Sequence, residues 1–259
     1  TIKRGAEIFG IAMLFRVQEF ILGLPGAPWT DLLRVDILNM MGISMMAMGA
    51  LCRVARTRIA TVASSTGIAL AIALATPPLW TTLRPRWLPW PLEAYINGVH
   101  IYPDPQPWLF PIFPWSAIAF AGLAAGFVLF SDWAKQREAL TATLLGAGGA
   151  ALYLISQWLD AMPTHLYTVY DYWHTSPNFF LARIGILLVI LMGCYVWCRW
   201  GAGEWGFSPI IQLGQTSLLV YWVHIEFVYG RFSILSKRGV SIQTASLGLL
   251  AIFLAMVLL

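Results

Sequence analysis

The sequence has few charged side chains. Only 11% of its 259 residues are Asp, Glu, Lys or Arg, whereas about a quarter of the residues in soluble domains are charged. Hydrophobic residues make up 59% of the chain, and the mean hydropathy is +0.71. This composition excludes an ordinary soluble domain and indicates an integral membrane protein.

Cysteine is also scarce, and the common catalytic motifs are missing. Cys194 and Cys198 are four residues apart, but no further Cys or His stands at ligand spacing. A structural metal site needs four ligands, so no metal is expected. The sequence contains no Walker loop, no G-x-S-x-G and no H-E-x-x-H. It also lacks the internal repeat that would indicate an inverted-repeat transporter.

Long apolar runs, by contrast, are abundant. A helix that crosses a bilayer needs about 20 mostly apolar residues. Runs of this kind are continuous here rather than alternating with a period of two, which argues against a barrel. The sequence therefore predicts an all-α, polytopic helical bundle that forms a single transmembrane domain over residues 1–259. Eight spans are predicted, at 6–23, 36–55, 59–77, 114–131, 140–158, 179–199, 209–229 and 241–259.

Basic residues in the short loops predict the orientation. They concentrate in "CRVARTR" at 52–58 and "SDWAKQRE" at 131–138, and short basic loops favour the cytoplasmic side. We therefore expect a cytoplasmic N-terminus, in the inner (cytoplasmic) membrane of a bacterium. The net charge of +4 reflects this topology, and no nucleic-acid partner is expected.

Two longer loops fall on the opposite side under this orientation. Residues 78–113 are rich in Pro and Trp, which predicts a compact extracytoplasmic cap at the lipid interface. Residues 160–177 contain two His and two Asp but neither Lys nor Arg.

Several predicted spans carry polar residues at the depth of this same side. A charge at the bilayer centre costs about 2.5–3.5 kcal/mol on insertion scales, so such residues are usually paired and often functional. We predict a polar cavity open to the extracytoplasmic side. Its members are Arg16, Gln18, Glu19, Asp36, Asn39, Asn178, Arg183, His224 and Glu226.

A structural role for these residues is the alternative. Arg16 and Glu19 are three residues apart and would form an ion pair on one helix. His224 can be satisfied by a neighbouring backbone group or by Tyr221. Residues 224 and 226 point about 200° apart on a helix, so one should face the cavity and the other a neighbouring helix.

Four blocks of the sequence together resemble a known family. They are "LLRVDILNMMGISMM" (32–46), "PIFPWSAIAFAGLAAG" (111–126), "SPNFFLARIGILLV" (176–189) and "IIQLGQTSLLVYWVHIEFVYG" (210–230). Their residues, order and spacing are similar to those of the heparan-alpha-glucosaminide N-acetyltransferase-like proteins of the transmembrane acyltransferase superfamily.

The resemblance implies an enzyme of ten or eleven helices that moves an acyl group from acyl-CoA to a sugar. The donor would bind on the cytoplasmic side, and the acceptor amine or hydroxyl would lie on the far side. In that family an earlier stretch carries the catalytic imidazole, and this sequence begins where the family's third helix would lie. We therefore expect either that further helices precede Thr1 or that the chemistry has been lost.

The residues present suit parts of that reaction. A histidine is the usual general base, and buried donors stabilise an oxyanion. The expected catalytic residues are His224, Asn39, Asp36 and Arg16. The expected substrate-binding residues are Glu19, Trp115, Arg183, Glu226 and Tyr221. Arg53, Arg56, Arg58, Lys135 and Arg137 would bind the phosphates of acyl-CoA, the co-substrate, unless they serve topology alone.

Two other functions stay open at the level of sequence. The chain can be a non-catalytic accessory or scaffold subunit of a larger membrane complex, or a homo-oligomer. It can also be a transporter or flippase of a lipid-linked sugar, because a polar cavity would serve that function too. The bilayer and a glycan acceptor are the other expected partners.

Overall fold

The computed structural model describes residues 1–99, 110–200, 208–228, 232–233 and 239–259. Residues 100–109 of the predicted cap and residue 229 of the predicted seventh span lie outside them. Helices make up the framework, and no strand occurs within the described ranges. The helices are α1 (Ile2–Gly23), α2 (Ile37–Val54), α3 (Arg58–Thr81), α4 (Trp90–Asn97), α5 (Ile112–Leu129), α6 (Asp132–Gln136), α7 (Glu138–Asp160), α8 (Pro177–Arg199), α9 (Pro209–Gln215), α10 (Ser217–Val228) and α11 (Ile242–Leu258).

The all-α membrane fold is confirmed, but the count of eight spans is not. Within the described residues, five helical segments are long and apolar enough to cross a membrane. They are Trp29–Val54, Arg58–Thr81, Ile112–Leu129, Glu138–Asp160 and Pro177–Arg199. The first of them combines a 3-10 turn, Trp29–Leu33, with α2.

The other three predicted spans are not helices that are both long and apolar enough to cross a membrane, each for a different reason. Any stretch of 18 residues in α1 includes at least three charged side chains. The predicted span 209–229 is divided at Thr216, whose hydroxyl donates to the carbonyl of Gln212. Its two parts, α9 and α10, have 7 and 12 residues. Helix α11 has 17 residues, slightly fewer than a full crossing needs.

The described helices form two compact units. The first unit comprises Thr1–Leu14 and Leu32–Val196, and the second comprises Phe15–Asp31 and Trp197–Leu259. The first contains most of each of the five membrane-length segments. In the second, α9, α10 and α11 pack against one another.

The core of the first unit lies between α3, α5 and α8. Ala69 and Ala73 of α3 pack with Ala117 and Phe120 of α5 and with Phe180 of α8. At the end of α3, the indole nitrogen of Trp80 donates to the carbonyl of Phe113, 3.1 Å away. Since the last turn of α3 meets the first turn of α5, these two helices are antiparallel.

This antiparallel packing gives the first unit two distinct ends. The α2–α3 connection and α6 lie at one end, which we call the basic end because it carries Arg53–Arg58 and Lys135. The first turns of α2, α5 and α8 lie at the other, which we call the polar end. Helix α1 packs against α2 in the opposite direction, because Gly5 contacts Gly42 while the later residue Met13 contacts the earlier residue Asn39.

Two glycines allow α7 and α8 to approach closely. A Cβ atom added to Gly185 would lie 2.5 Å from the carbonyl oxygen of Gly149, and one added to Gly149 would lie 2.6 Å from that of Gly185. Small residues permit this backbone contact in membrane bundles. It holds α8, which carries Arg183, against α7.

Candidate functional site

Asp36 and Asn39 form the N-terminal cap of α2. The Asp36 carboxylate accepts from the backbone nitrogen of Ile37 at 2.7 Å. The Asn39 side-chain oxygen accepts from the backbone nitrogen of Asp36 at 3.3 Å. This reciprocal arrangement satisfies helix donors that would otherwise lack partners. Both residues were predicted as catalytic, and the structure gives them a capping role at the polar end.

The Asn39 amide is also bonded to two other elements. It is fully buried, and its nitrogen lies 3.5 Å from the sulfur of Met13 on α1. Its side chain is hydrogen-bonded to Tyr95 of α4, whose ring contacts Phe9 at 6.2 Å between centroids. Burial raises the pKa of Tyr95, and the bond with Asn39 partly opposes that rise. A buried amide with these partners is held in one orientation.

Helix α4 is fixed at the polar end by two interactions. The Arg84 guanidinium donates to both carboxylate oxygens of the buried Glu93, which raises the pKa of Arg84. The side chain of Asn97 is fully buried and donates to the carbonyl of Leu79 at 3.1 Å. Tyr95 is therefore held in place from both ends of its helix.

Arg183 and Trp115, both predicted as substrate-binding, are brought together. The guanidinium carbon of Arg183 lies 4.6 Å from the ring centroid of Trp115 and 3.9 Å from that of Phe179. Both distances are within the range of cation–π attraction. Among the residues described, no carboxylate lies within ion-pair distance of this guanidinium.

A small cleft opens beside Arg183 at the polar end. Three polar residues that precede α8 share the lining with apolar side chains from α3, α5 and α8. The lining residues are Ala73, Pro114, Ile118, His174, Thr175, Ser176, Phe179, Phe180 and Arg183.

His174 in this cleft is paired with a carboxylate. Its Nδ1 lies 2.7 Å from a carboxylate oxygen of Asp171, and the other carboxylate oxygen accepts from the backbone nitrogen of Trp173. Thr175 and Ser176 donate their backbone N–H groups to the carbonyl of Asp171. The turn 171–176 is thereby fixed. The sequence prediction missed this pair, although the D-x-x-H spacing in a loop without Lys or Arg was a usable signal.

The second unit contains another set of predicted residues, centred on α1 and α10. Arg16 is buried and forms an ion pair with Glu19 at 2.6 Å. Gln18, between them in sequence, donates to the carboxylate of Glu226 at 3.0 Å and accepts from the indole of Trp222 at 3.0 Å. Glu226 is buried. It thus faces a neighbouring helix.

His224 lies on a different side of α10 from Glu226. Its Nδ1 lies 3.0 Å from the carbonyl oxygen of Val220, and its ring meets Tyr221 edge-on at 5.6 Å. A carbonyl can only accept, so Nδ1 carries a proton, and Nε2 is the ring nitrogen turned away from this bond. This geometry is compatible with a base and equally with a packing histidine.

The residues predicted to bind acyl-CoA share the basic end of the first unit. Arg53, Arg56 and Arg58 flank the α2–α3 connection, and all are exposed. Lys135 on α6 is exposed as well. Arg137 is exposed and lies over the ring of Trp133 at 5.6 Å. They form an accessible cluster of positive charge.

The predicted residues thus divide between the two units. Asp36, Asn39, Trp115 and Arg183 belong to the first, and the second contains Arg16, Glu19, Tyr221, His224 and Glu226. Their convergence on one cavity stays a prediction, as do their roles. In the described part of the chain, no group of three or more His, Cys, Asp and Glu side chains is arranged to hold a metal.

Comparison with known proteins gives one match. A family model described as "Heparan-alpha-glucosaminide N-acetyltransferase, catalytic" matches residues 1–158, which is more than half of the chain. Two of the four resembling blocks, 32–46 and 111–126, lie inside the matched region. No curated protein and no solved structure matches the chain. The match confirms the resemblance found in the sequence, and the chain belongs to the heparan-alpha-glucosaminide N-acetyltransferase family.

Proposed function

We propose that the protein is a membrane acyltransferase. It takes an acetyl or other acyl group from acyl-CoA and transfers it to an amine or hydroxyl of a sugar on the extracytoplasmic side. The observation that carries this proposal is the family match over residues 1–158. Members of that family use acetyl-CoA as the donor.

The basic end of the first unit supports the choice of donor. Coenzyme A carries several phosphate groups, and exposed Arg and Lys side chains form charge-assisted hydrogen bonds with phosphate oxygens. Five such side chains occur there within two short segments, 53–58 and 135–137. The retention of positive charge on the cytoplasmic side explains the same cluster by topology alone, so an experiment must separate the two roles.

Buried donors and acceptors support the transfer chemistry. The acceptor must lose a proton as it attacks the thioester carbonyl, and Nε2 of His224 can take it. The developing oxyanion needs hydrogen-bond donors. The indole of Trp115 or the guanidinium of Arg16 can donate to it. Asn39, whose amide is already bonded to Asp36, Met13 and Tyr95, would act by keeping the start of α2 rigid. Glu19, Glu226 and Tyr221 provide polar contacts for the acceptor.

The first experiment measures CoA release from acetyl-CoA by the purified protein in liposomes, with and without glucosamine. We expect release that depends on the acceptor. The His224→Ala variant should lose about 10²- to 10⁴-fold in kcat if His224 is the base. Release that survives this substitution would assign the base to another residue. No release from folded, reconstituted protein would overturn the proposal and favour an accessory subunit.

A second experiment separates donor binding from topology. Replacing Arg53, Arg56 and Arg58 with Gln should raise KM for acetyl-CoA by about 1.4- to fivefold per charge, because exposed ion pairs contribute about 0.2–1 kcal/mol each. The effect should weaken with salt. Arg86→Gln, an exposed arginine at the polar end, is the control and should leave KM unchanged. Equal KM values would leave these arginines with a topological role.

A further inference from the structure

Lys3 lies on α1 beside the basic end of the first unit. A Cβ atom added to Gly49 of α2 would lie 2.7 Å from Cγ1 of Ile2. A Cβ atom added to Gly5 of α1 would lie 2.9 Å from the backbone nitrogen of Met46. These contacts set the register of the two antiparallel helices. They place Lys3 about one and a half turns, roughly 9 Å, inside the end of α2.

Arg53 lies on the face of α2 that packs on α1. It comes four residues after Gly49, and residues four apart share one side of a helix. Both Lys3 and Arg53 are exposed. Helical side chains lean toward the N-terminus of their own helix, so the long stem of Lys3 leads back toward the basic end. The two cations thus approach the same level from neighbouring helices.

Positive charge exceeds negative charge at this place. Arg4 lies 3.8 Å from the carboxylate of Glu7 and is partly neutralised by it. Segment 52–58 contains three arginines and no acidic residue. Among the described residues, neither Lys3 nor Arg53 has a carboxylate within ion-pair distance. An anionic group would therefore be attracted to this pair.

Exposed apolar side chains adjoin the two cations. Val54 follows Arg53 and is 78% exposed, and Ile2 precedes Lys3 and is 40% exposed. Helix α2 belongs to a segment of membrane length, so long cationic side chains near its end reach the level of the lipid headgroups. A ligand that matches this surface carries a phosphate for the cations and hydrocarbon for the apolar side chains. A phospholipid has both, whereas a soluble phosphate has only the first.

We propose that Lys3 and Arg53 form a binding site for the phosphate of an anionic phospholipid, whose acyl chains lie against the exposed side of α1 and α2. The site does not depend on the proposed acyl transfer. Of the five cations assigned to acyl-CoA, it shares only Arg53. A zwitterionic lipid offers the same phosphate but adds a cationic group, which Lys3 and Arg53 repel. The site therefore selects lipids of net negative charge.

The experiment measures equilibrium binding of phosphatidylglycerol to the purified protein in a neutral detergent, without acyl-CoA. Phosphatidylcholine, which lacks a net charge, and glycerol 3-phosphate, which lacks acyl chains, are the comparison ligands. We expect phosphatidylglycerol to bind more tightly than either, by about fivefold or more. Each cation near a lipid surface contributes about fivefold in affinity. Lys3→Gln combined with Arg53→Gln should therefore weaken phosphatidylglycerol binding about twentyfold, and added salt should weaken wild-type binding.

Two control variants separate the charge of this pair from other effects. Lys3→Arg combined with Arg53→Lys exchanges the two cations at constant charge and should bind phosphatidylglycerol at close to wild-type affinity. Arg86→Gln removes an exposed arginine at the polar end and should leave the affinity unchanged. Thermal unfolding without added lipid checks that each variant is folded. A loss of affinity confined to the glutamine pair then reports on Lys3 and Arg53.

Four outcomes would overturn the proposal. One is equal affinity of the wild type for phosphatidylglycerol and phosphatidylcholine, and another is wild-type affinity of the glutamine pair for phosphatidylglycerol. The third is equal affinity for glycerol 3-phosphate and phosphatidylglycerol, which would assign the pair to soluble phosphates. The fourth is complete displacement of phosphatidylglycerol by saturating acetyl-CoA, which would assign Lys3 and Arg53 to the donor.

Lipid binding and turnover fail separately. Phosphatidylglycerol binding that depends on Lys3 and Arg53, in a protein that releases no CoA, overturns the acyltransferase function alone. Acceptor-dependent CoA release by a protein without such lipid binding overturns the lipid site alone.

Discussion

Two arginines within helices of this protein have opposite surroundings. Arg16, in the second unit, is almost fully buried and forms an ion pair with Glu19 at 2.6 Å. Arg183, in the first unit, is half-buried between the rings of Phe179 and Trp115. Its sequence neighbours include no acidic residue at helical pairing distance. From sequence, both residues were predicted as members of one polar cavity.

The difference indicates separate roles for the two residues. A carboxylate three residues away offsets the cost of removing a buried cation from water. Replacing the cation alone leaves that carboxylate without its partner. A cation flanked by aromatic faces keeps its hydrogen-bond donors free. We therefore expect Arg16 to contribute mainly to stability and Arg183 mainly to binding.

The largest expected effect is that of Arg16→Met on stability. Removing one partner of a buried ion pair costs about 3 kcal/mol, the low end of the range, because Glu19 is partly exposed. Arg183→Met should cost only about 1 kcal/mol, since it loses two cation–π contacts and strands no carboxylate. Thermal unfolding in the same detergent measures both variants.

The double variant Arg16→Met with Glu19→Leu is the control. Because it replaces the whole pair with apolar groups, it should recover most of the lost stability. If the double variant stays as unstable as the single one, Arg16 has a role other than neutralising Glu19. If Arg183→Met is the less stable of the two single variants, the division of roles is wrong.

The next effect concerns the packing that holds Arg183 in place. Gly185→Ala would put a Cβ atom 2.5 Å from the carbonyl oxygen of Gly149. The backbone cannot absorb this contact without separating α7 from α8, at a cost of about 2 kcal/mol. We expect a lower unfolding temperature, which thermal unfolding in detergent measures.

Gly193→Ala on the same helix is the matched substitution. A Cβ atom at Gly193 would meet nothing within 4 Å, so this variant should be as stable as the wild type or more so, by up to about 1 kcal/mol. Equal effects of the two substitutions would show that helix propensity, rather than the contact with α7, determines the result.

Most of the fold could be predicted from the sequence, because apolar run length is a strong signal for membrane helices. The five segments of membrane length overlap predicted spans. The number of membrane spans was harder to predict where polar side chains interrupt an apolar run. In α1, Glu7, Arg16 and Glu19 reduce the apolar character. At Thr216, the side chain bonds the preceding turn, and the predicted seventh span becomes two shorter helices.

The site was harder to predict because sequence position gives depth but not contact. Asp36 and Asn39 were chosen for chemistry, and their capping bonds depend on where α2 begins. Gln18 was named only for its depth, yet it links Glu226 and Trp222. Asp171 and His174 lie in a loop without helical periodicity, so their D-x-x-H spacing was the main sequence signal for the pairing that the structure shows. Charge in a span marked Arg16 and Arg183 alike and did not distinguish their surroundings.

The smallest expected effect is a change in the alkaline stability of the loop that carries His174. Burial is the main cause that raises the pKa of Tyr170, and its hydrogen bond to Asp160 adds to it. A raised folded-state pKa stabilises the protein below the unfolded value of about 10, and this contribution is lost as the pH rises through the folded pKa. The wild type should therefore lose stability above about pH 10.

Tyr170→Phe removes this titration. At pH 8 the variant should be less stable than the wild type by about 1 kcal/mol, because it lacks the bonds of the hydroxyl to Asp160 and Asn178. At pH 11 the gap should narrow, because only the wild type can ionise at this position. Asp160→Asn keeps Tyr170 but weakens one cause of its raised pKa. The difference in stability between this variant and the wild type should therefore narrow less from pH 8 to pH 11. If the difference in stability between the wild type and Tyr170→Phe widens with pH, the Tyr170 hydroxyl does not stabilise the loop beside Arg183. The bonds of Asp171 would then be the main constraint on that loop.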